Sequence, residues 1–247
     1  MTLFQGYWLE RLDWLEWLET KAEEINDIEM QVEVFYQRCR TLTHFDEKDN
    51  YSPCFNFGKK AWKLSQSMDW PVRFDIAILL ATLQVRNQKK QLAQHWLKES
   101  QALLNGQADS KTYRICEIQL YYMQAEYSWQ QEQFEEADAF YQKAWQQAHK
   151  IDWLLMQTYI TAWRGVLALK QNQLPRAEAF LQDVLPIYTL KGDRRSMAKC
   201  QSYLAELEKQ RGNLDQARHY AKNSVDIFHS LQMLNEVSNL RNIYLLP

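Results

Sequence analysis

A 40-residue internal repeat is the sequence feature that most constrains how this 247-residue chain can fold. Three segments align without gaps at offsets of 40 residues: 132–145, 172–185 and 212–225. An alanine in each segment has another small residue twelve positions before it: Ala125 before Ala137, Gly165 before Ala177, and Ala205 before Ala217. Such a period is typical of arrays in which each unit buries its apolar surface against the next unit.

Each unit is predicted to be two antiparallel amphipathic helices joined by a short polar turn. Apolar residues recur at helical spacing on both sides of each turn. Gly212 stands where a first helix would end, and Pro175 stands where a second helix would begin. Helices that cross closely need small side chains at the crossing, which explains the paired small positions.

The composition supports a helical chain. It contains 6 glycines and 5 prolines, which is under half of their usual share of about 12%. Barrels, sandwiches and doubly wound sheets need frequent turns that draw on both residues. The sequence therefore predicts an all-α fold, a right-handed α-solenoid of about twelve helices.

We predict a single domain over residues 1–247, with five repeats between two half-repeat ends. The predicted ranges are 1–27 for an amino-terminal half-repeat, 28–70, 71–110, 111–152, 153–192 and 193–230 for the repeats, and 231–247 for a capping helix. The repeat at 71–110 carries the pair Ala81 and Ala93, whereas the repeat at 28–70 is a weaker copy with Cys39 in its first helix. The alternative is a chain that descends from the array of a larger protein and begins in mid-repeat.

These residues resemble the tetratricopeptide repeat over about residues 30–230. The shared positions are the small residue of the first helix, the large apolar residue before the second helix, such as Phe134, and the Ala and apolar residues along the second helix. The period of 40 exceeds the 34 residues of that family, which implies longer helices or a longer loop. The family's closing proline is absent apart from Pro186, which lies earlier. The longer unit resembles the repeat arrays attached to large bacterial signal-transducing NTPases.

The sequence contains no motif for catalysis, a cofactor or a metal. Gly58 and Lys59 do not form a phosphate-binding loop, because Pro53 replaces the first glycine and no Ser or Thr follows. Gly-x-Ser-x-Gly and His-Glu-x-x-His motifs are also missing. The cysteines lack metal-site spacing and are expected to be buried or half-buried free thiols: Cys39, Cys54, Cys116 and Cys200. We expect a protein that is not an enzyme and that holds no cofactor.

Tryptophan is unusually frequent, with 10 in the chain. Four of them fall on apolar stripes of predicted second helices: Trp14, Trp62, Trp96 and Trp145. Large rings on such a stripe are expected to fill the core between helices.

The charge distribution is uneven along the chain. Residues 1–52 carry 12 acidic and 5 basic side chains, whereas residues 153–211 carry 5 acidic and 9 basic side chains. The longest run without a charged residue is 153–163, well short of the roughly 20 apolar residues of a membrane-spanning helix. We expect no membrane contact, no secretory signal and a cytoplasmic location.

The resemblance implies that the first helices line a concave groove that binds a partner. Transferred position by position, the groove residues are Tyr36, Arg40, Ile78, Thr82, Arg86, Tyr122, Glu126, Trp129, Tyr159, Trp163, Val166, Lys170, Lys199, Ser202, Tyr203, Glu206 and Lys209. Packing between neighbouring repeats is the alternative role for several of their rings.

The predicted function is a non-catalytic scaffold or adaptor that binds a protein, either as an extended peptide or as a single helix. One alternative is a sensor module that controls a signalling NTPase or a transcription regulator. Nucleic-acid binding through the basic stretch 153–211 is a weaker alternative, because the excess of positive charge is small. The partner's identity and the oligomeric state are left open.

Overall fold

A computed structural model of the chain describes residues 8–43 and 51–245. These residues form α-helices and no strand, as the sequence predicts. The helices are α1 (Trp8–Glu24), α2 (Ile28–Leu42), α3 (Tyr51–Leu64), α4 (Trp70–Arg86), α5 (Lys90–Leu104), α6 (Lys111–Gln130), α7 (Phe134–Lys150), α8 (Leu154–Lys170), α9 (Leu174–Lys191), α10 (Arg194–Gln210), α11 (Leu214–Ser230) and α12 (Leu234–Leu240). A 3-10 turn (Ser65–Ser67) follows α3, and a π-helical turn (Arg241–Leu245) follows α12.

Consecutive helices pack as antiparallel pairs. The even-numbered helices are the first helices of the pairs, and α3, α5, α7, α9 and α11 are the second helices that follow them. The helix α1 is equivalent to a second helix. Parts of the predicted half-repeat, first repeat and capping helix, namely residues 1–7, 44–50 and 246–247, lie outside the described residues.

The described residues form two compact units, 8–153 with α1 to α7 and 154–245 with α8 to α12. We call them the amino-terminal unit and the carboxy-terminal unit. The core of the first is centred on α4, with the fully buried side chains Phe74, Ile76 and Leu80. The core of the second lies between α9 and α10, around Leu181 and Leu204. The predicted repeat bounds and the single domain remain predictions.

The 40-residue period consists of two equal steps. From α7 onward each helix begins 20 residues after the previous one, at Phe134, Leu154, Leu174, Arg194, Leu214 and Leu234. The helices α8, α10 and α11 have 17 residues each, which leaves a three-residue turn in each step. The residues in excess of the 34-residue period therefore lie in longer helices and not in longer loops.

Most of the turns share one hydrogen-bond pattern. After α8, the N–H of Asn172 donates to the carbonyl of Leu169 (3.1 Å), and the N–H of Gln173 donates to the carbonyl of Ala168 (2.8 Å). This is the Schellman motif, in which the residue after the helix adopts the left-handed conformation. The left-handed residues of the eight described turns of this kind are Asn26, Gln88, Glu132, Asp152, Asn172, Gly192, Gly212 and Gln232. Because six of them are not glycine, the helix pairs close with few glycines.

The paired small residues serve two separate contacts. A Cβ atom placed on Gly165 would lie 3.1 Å from Cγ of Leu181, so α8 and α9 approach closely there. Ala177 is fully buried and lies in a cluster with Ala168 and Leu207. Gly165 and Ala177 therefore each make room for different large neighbours. They do not contact each other at a single helix crossing.

The buried cysteines are confirmed, because all four are buried free thiols. The core assignment is also right for Trp96, which is 7% exposed, but it is wrong for Trp14, which is 68% exposed. Among the described helices only α2 packs extensively against α1, so the ring of Trp14 has no second helix over it. None of the described helices combines the length and apolar content needed to cross a membrane. The cytoplasmic location stays a prediction.

Candidate protein-binding faces

The first helices of the amino-terminal unit form one face, which we call the amino-terminal face. The helices α4 and α6 pack against each other. Nη1 of Arg86 in α4 donates to the carbonyl oxygen of Thr43 at the end of α2 (3.2 Å). The predicted groove residues of this unit lie on α2, α4 and α6: Tyr36, Arg40, Ile78, Thr82, Arg86, Tyr122, Glu126 and Trp129.

Two arginines are the exposed members of this set. Arg40 and Arg86 are exposed, whereas Thr82 is half-buried and its hydroxyl donates to the carbonyl of Ile78 in its own helix (2.8 Å). Ile78 is 9% exposed and belongs to the core. Arg40 and Arg86 therefore offer charge to a partner, and Ile78 offers almost no surface.

A half-buried carboxyl group, that of Asp75, lies near Arg40. Burial raises the pKa of Asp75 to about 6; the positive charge of Arg40 opposes this rise and the negative charge of Glu33 adds to it. Burial, with a smaller contribution from Asp75, raises the pKa of Tyr36 to about 12. Asp75 is not among the residues predicted from the sequence, although it is the one charged residue in the apolar run from Phe74 to Val85.

The aromatic residues of α6 are held by their own unit. Tyr122 packs edge to face with Tyr141 of α7, with ring centroids 5.9 Å apart. Burial and the nearby Glu126 raise the pKa of Tyr122 well above its usual value. Trp129 is half-buried, and its ring lies 5.5 Å from that of Phe134. Tyr122 thus serves packing within the unit, and Trp129 keeps part of its surface exposed.

The first helices α8, α10 and α12 define the carboxy-terminal face. It carries the other predicted groove residues: Tyr159, Trp163, Val166, Lys170, Lys199, Ser202, Tyr203, Glu206 and Lys209. Lys170 and Lys209 are exposed, whereas Val166 is 4% exposed and contributes to the core. The Ser202 hydroxyl donates to the carbonyl of Lys199 (2.7 Å).

The rings of the carboxy-terminal face take part in internal contacts. The hydroxyl of Tyr159 donates to Oδ2 of Asp193 (2.5 Å), and burial together with this carboxylate raises the pKa of Tyr159. Asp193 is 4% exposed and also accepts a hydrogen bond from the N–H of Ser196 (3.1 Å) as the N-cap of α10. The rings of Trp163 and Tyr203 lie 6.3 Å apart.

The carboxy-terminal segment contacts three of the predicted groove residues. Lys199 forms an ion pair with Glu236 of α12 (3.6 Å). Tyr244 in the π-helical turn donates to Oε2 of Glu206 (2.7 Å), and the ammonium of Lys209 lies 5.3 Å from the centre of its ring. The sequence predicts a capping helix here but not these contacts, because nothing in the repeat pattern assigns partners to Glu236 and Tyr244.

The described residues contain no group of three or more His, Cys, Asp or Glu side chains arranged to hold a metal ion. No protein-family model matches the chain, and no curated protein matches its sequence significantly.

Solved structures with a similar fold include three helical proteins. BtubC (BKLC) from P. vanneervenii is 18% identical, with a TM-score of 0.61 over 91% of this chain and 92% of that chain. A signal transduction ATPase with numerous domains (STAND) and a tetratricopeptide repeat sensor, from Pyrococcus horikoshii, is 14% identical, with a TM-score of 0.62 over 90% of this chain and 35% of that chain. Aspartyl phosphate phosphatase F from Bacillus subtilis is 14% identical, with a TM-score of 0.63 over 90% of this chain and 58% of that chain.

These likenesses establish a fold and not an activity, because fold does not by itself define function. The chain has a tetratricopeptide-like helical-repeat fold. It spans about a third of the length of the STAND protein and just over half of the length of the phosphatase.

Proposed function

We propose that this chain is a non-catalytic protein-binding module that holds an extended peptide or a single helix on its amino-terminal face. The observation that supports this most directly is the position of Arg40 and Arg86. Both are exposed on first helices of this face, which also carries the half-buried rings of Tyr36 and Trp129. Arginine and aromatic side chains are the types that contribute most to binding energy at protein interfaces.

The charges on this face define the chemistry of the peptide. A guanidinium group binds carboxylates through two parallel hydrogen bonds, so Arg40 and Arg86 would hold acidic side chains. The rings on the same face would contact apolar side chains. We therefore propose an acidic peptide with interspersed apolar residues as the ligand.

Selection from a displayed library of random peptides, with the full chain as bait, tests this proposal. We expect enrichment of peptides that combine acidic and apolar residues. The double substitution Arg40→Glu and Arg86→Glu should weaken binding of an enriched peptide about 100-fold, because each reversal replaces attraction by repulsion.

The matched control reverses two exposed lysines of the carboxy-terminal face, with Lys170→Glu and Lys209→Glu. Binding of the same peptide should change less than about threefold, because these charges lie outside the proposed site. Equal losses in both double variants, or enrichment of peptides without acidic residues, would contradict the proposal.

A sensor role is the second candidate. It is supported by the likeness to the STAND protein, whose tetratricopeptide repeats are described as a sensor. In this role the chain would control a signalling NTPase or a transcription regulator. If the chain is a sensor, we expect its gene to lie beside a gene for an NTPase or a DNA-binding protein. We also expect the activity of that neighbouring protein to change when the purified chain is added.

Nucleic-acid binding through residues 153–211 is the weakest candidate. Part of the positive charge in this stretch is already paired: Arg211 contacts Glu178 (2.5 Å) and Glu208 (3.0 Å), and Lys199 contacts Glu236. Nucleic-acid binding is strongest at low salt. A failure to bind duplex and single-stranded oligonucleotides at low salt eliminates this candidate.

A further inference from the structure

The exposed ring of Trp14 occupies a position that is covered elsewhere in the chain. When α1 and the second helices are aligned at their first residues, the seventh position is aromatic in all six: Trp14, Phe57, Trp96, Phe140, Phe180 and Tyr220. Trp14 is 68% exposed, whereas the other five are buried or half-buried. The same position therefore has a covering neighbour in the other five helices.

The preceding first helix supplies this cover in two well-defined cases. Arg38 of α2 places its guanidinium carbon 4.3 Å from the ring centre of Phe57. Arg164 of α8 places the equivalent atom 5.3 Å from the ring centre of Phe180. An arginine over an aromatic ring is attracted by the electron-rich face of the ring.

A small residue follows the arginine in both helices. Cys39 follows Arg38 and lies against Gly58, the eighth residue of α3. A Cβ atom placed on Gly58 would lie 3.3 Å from Sγ of Cys39. Gly165 follows Arg164 and lies against Leu181, the eighth residue of α9. An arginine followed by a small residue is thus the pattern by which a first helix crosses the seventh and eighth positions.

A groove remains open at the equivalent place on α1. A cavity of about 380 Å³ lies between α1 and α2, with Trp14, Leu15, Leu18, Met30 and Val34 among its lining residues. The lining also includes Glu33. Trp14 and Leu15 are the seventh and eighth residues of α1, the positions that a first helix contacts in α3 and α9. The groove is therefore the apolar surface that an equivalent first helix would cover.

The surroundings of the groove are acidic. Residues 8–42, which form the two helices and the turn between them, carry 9 acidic and 4 basic side chains. Exposed carboxylates lie on both helices that form the groove: Glu10, Asp13, Glu29 and Glu33. This charge favours a positively charged helix.

The amino-terminal end of the groove carries one cation. The guanidinium of Arg11 donates to Oε1 of Gln37 (2.7 Å) and to Oγ1 of Thr41 (3.1 Å). A helix that ran antiparallel to α1, as α8 runs to α9, would end near Arg11. A cation there stabilises the carbonyl groups of a helix carboxy terminus.

We propose that the groove between α1 and α2 is a docking site for a basic amphipathic helix of a partner protein. The helix takes the place that a first helix has in the other pairs, with an arginine over Trp14 and a small residue against Leu15. Arg40 and Arg86 do not line this groove, although burial and the charge of Arg40 together lower the pKa of Arg11. The groove is therefore a different surface from the proposed peptide site of the amino-terminal face.

A peptide with the sequence of α8 (residues 154–170) is a suitable probe. It carries Arg164 followed by Gly165, a second cation at Lys170, and no acidic residue. We would label its amino terminus with fluorescein and titrate it with the full chain at low salt, with fluorescence anisotropy as the readout. Saturable binding that weakens as salt is added is expected.

Trp14→Ala should weaken binding of this peptide at least about tenfold, because the ring forms the centre of the site. The control is Leu9→Ala, which truncates another exposed apolar side chain of the same helix that does not line the groove. Trp17 is unsuitable, because its ring packs edge to face against that of Trp14, with centroids 6.3 Å apart. Leu9→Ala should change affinity less than about threefold. Circular dichroism should show the same helix content in both variants, since both side chains are exposed.

Two changes in the peptide test the pattern itself. Arg164→Glu removes the cation over Trp14, and Gly165→Leu places a large side chain where the helices approach. Each should weaken binding at least about tenfold.

Three outcomes would overturn the proposal. The first is an absence of saturable binding to the wild-type chain, or equal affinities of wild type and Trp14→Ala. The second is loss of binding in the Arg40→Glu, Arg86→Glu variant but not in Trp14→Ala, which would place the peptide on the amino-terminal face and leave the proposed function intact. The third is a wild-type dimer in sedimentation velocity that becomes monomeric with Trp14→Ala, which would make a second copy the occupant.

Discussion

The two first-helix faces carry similar residue types but differ in what contacts them. On the carboxy-terminal face, Lys199, Glu206 and Lys209 contact α12 and the π-helical turn. On the amino-terminal face, Arg40 and Arg86 remain exposed. Lys199 and Glu206, which contact α12 and the π-helical turn, are only half-exposed, so packing by a further element of the chain reduces the surface that these groove residues can offer to a partner.

Each face also holds an acidic side chain that is largely removed from solvent, Asp193 in one and Asp75 in the other, and the two differ in their partners. Asp193 has two donors, the hydroxyl of Tyr159 and the N–H of Ser196. Asp75 has a pKa raised to about 6, mainly by burial. Asp193 is therefore part of the framework of the carboxy-terminal face, whereas Asp75 is a half-buried charge that costs the folded chain stability at neutral pH.

The largest effect is expected where the carboxy-terminal face depends on the packing beneath it. Ala177→Arg should destabilise the chain by about 2–4 kcal/mol, because it forces a long charged side chain into the buried cluster with Ala168 and Leu207. Urea unfolding followed by circular dichroism measures the change. Ala179→Arg is the control, since Ala179 is exposed on the same helix. Equal midpoints for both variants would show that the helix pairing is wrong.

Substitution of Asp193 should have the next largest effect on stability. Asp193→Ala should cost about 2 kcal/mol, because α10 loses its N-cap acceptor and the hydroxyl of Tyr159 loses its partner. Thermal unfolding measures the loss. Asp215→Ala, at the exposed first turn of α11, serves as the control and should leave the melting temperature nearly unchanged. A small effect of Asp193→Ala would mean that the two faces do not differ in the roles of Asp193 and Asp75.

Substitution of Asp75, on the amino-terminal face, should have the opposite effect and raise the free energy of unfolding. Because the pKa of Asp75 is about 6 in the folded chain and 3.8 ordinarily, the folded state binds its proton more tightly. Stability that is present below about pH 4 is therefore lost as the pH rises through about 6. Asp75→Asn should stabilise the chain by about 1–2 kcal/mol at pH 7.5 and much less at pH 4. Urea midpoints across this pH range measure the effect, and a pH-independent difference would contradict it.

The smallest effect is expected at the turns. Glu132 in the amino-terminal unit and Gly212 in the carboxy-terminal unit occupy the same left-handed position, with φ of 61° and 83°. Glu132→Gly should stabilise the chain by about 0.5–1 kcal/mol, and Gly212→Ala should destabilise it by a similar amount. Differential scanning calorimetry resolves these changes. Effects of the same sign would mean that left-handed strain does not govern the turns.

The sequence predicts the helix pairs because their spacing of apolar residues and turns is local. It also predicts the small residues that allow close approach, since the same need recurs in every pair. Exposure on the faces is not predictable in this way. Trp14 and Trp96 hold the same position in their helices, yet one is 68% exposed and the other 7%. The difference lies in which helix packs alongside, and neither residue's own sequence context contains that information.

The 20-residue step has a consequence for how such a chain changes length. Gln173 and Asn213 are both N-cap residues, and Leu174 and Leu214 both begin second helices. Loss of residues 174–213 would join Gln173 directly to Leu214 and preserve a turn of the usual form. Recombination between copies can therefore add or remove 40 residues without a new loop, whereas a single-residue insertion within a helix would rotate all following residues by about 100°.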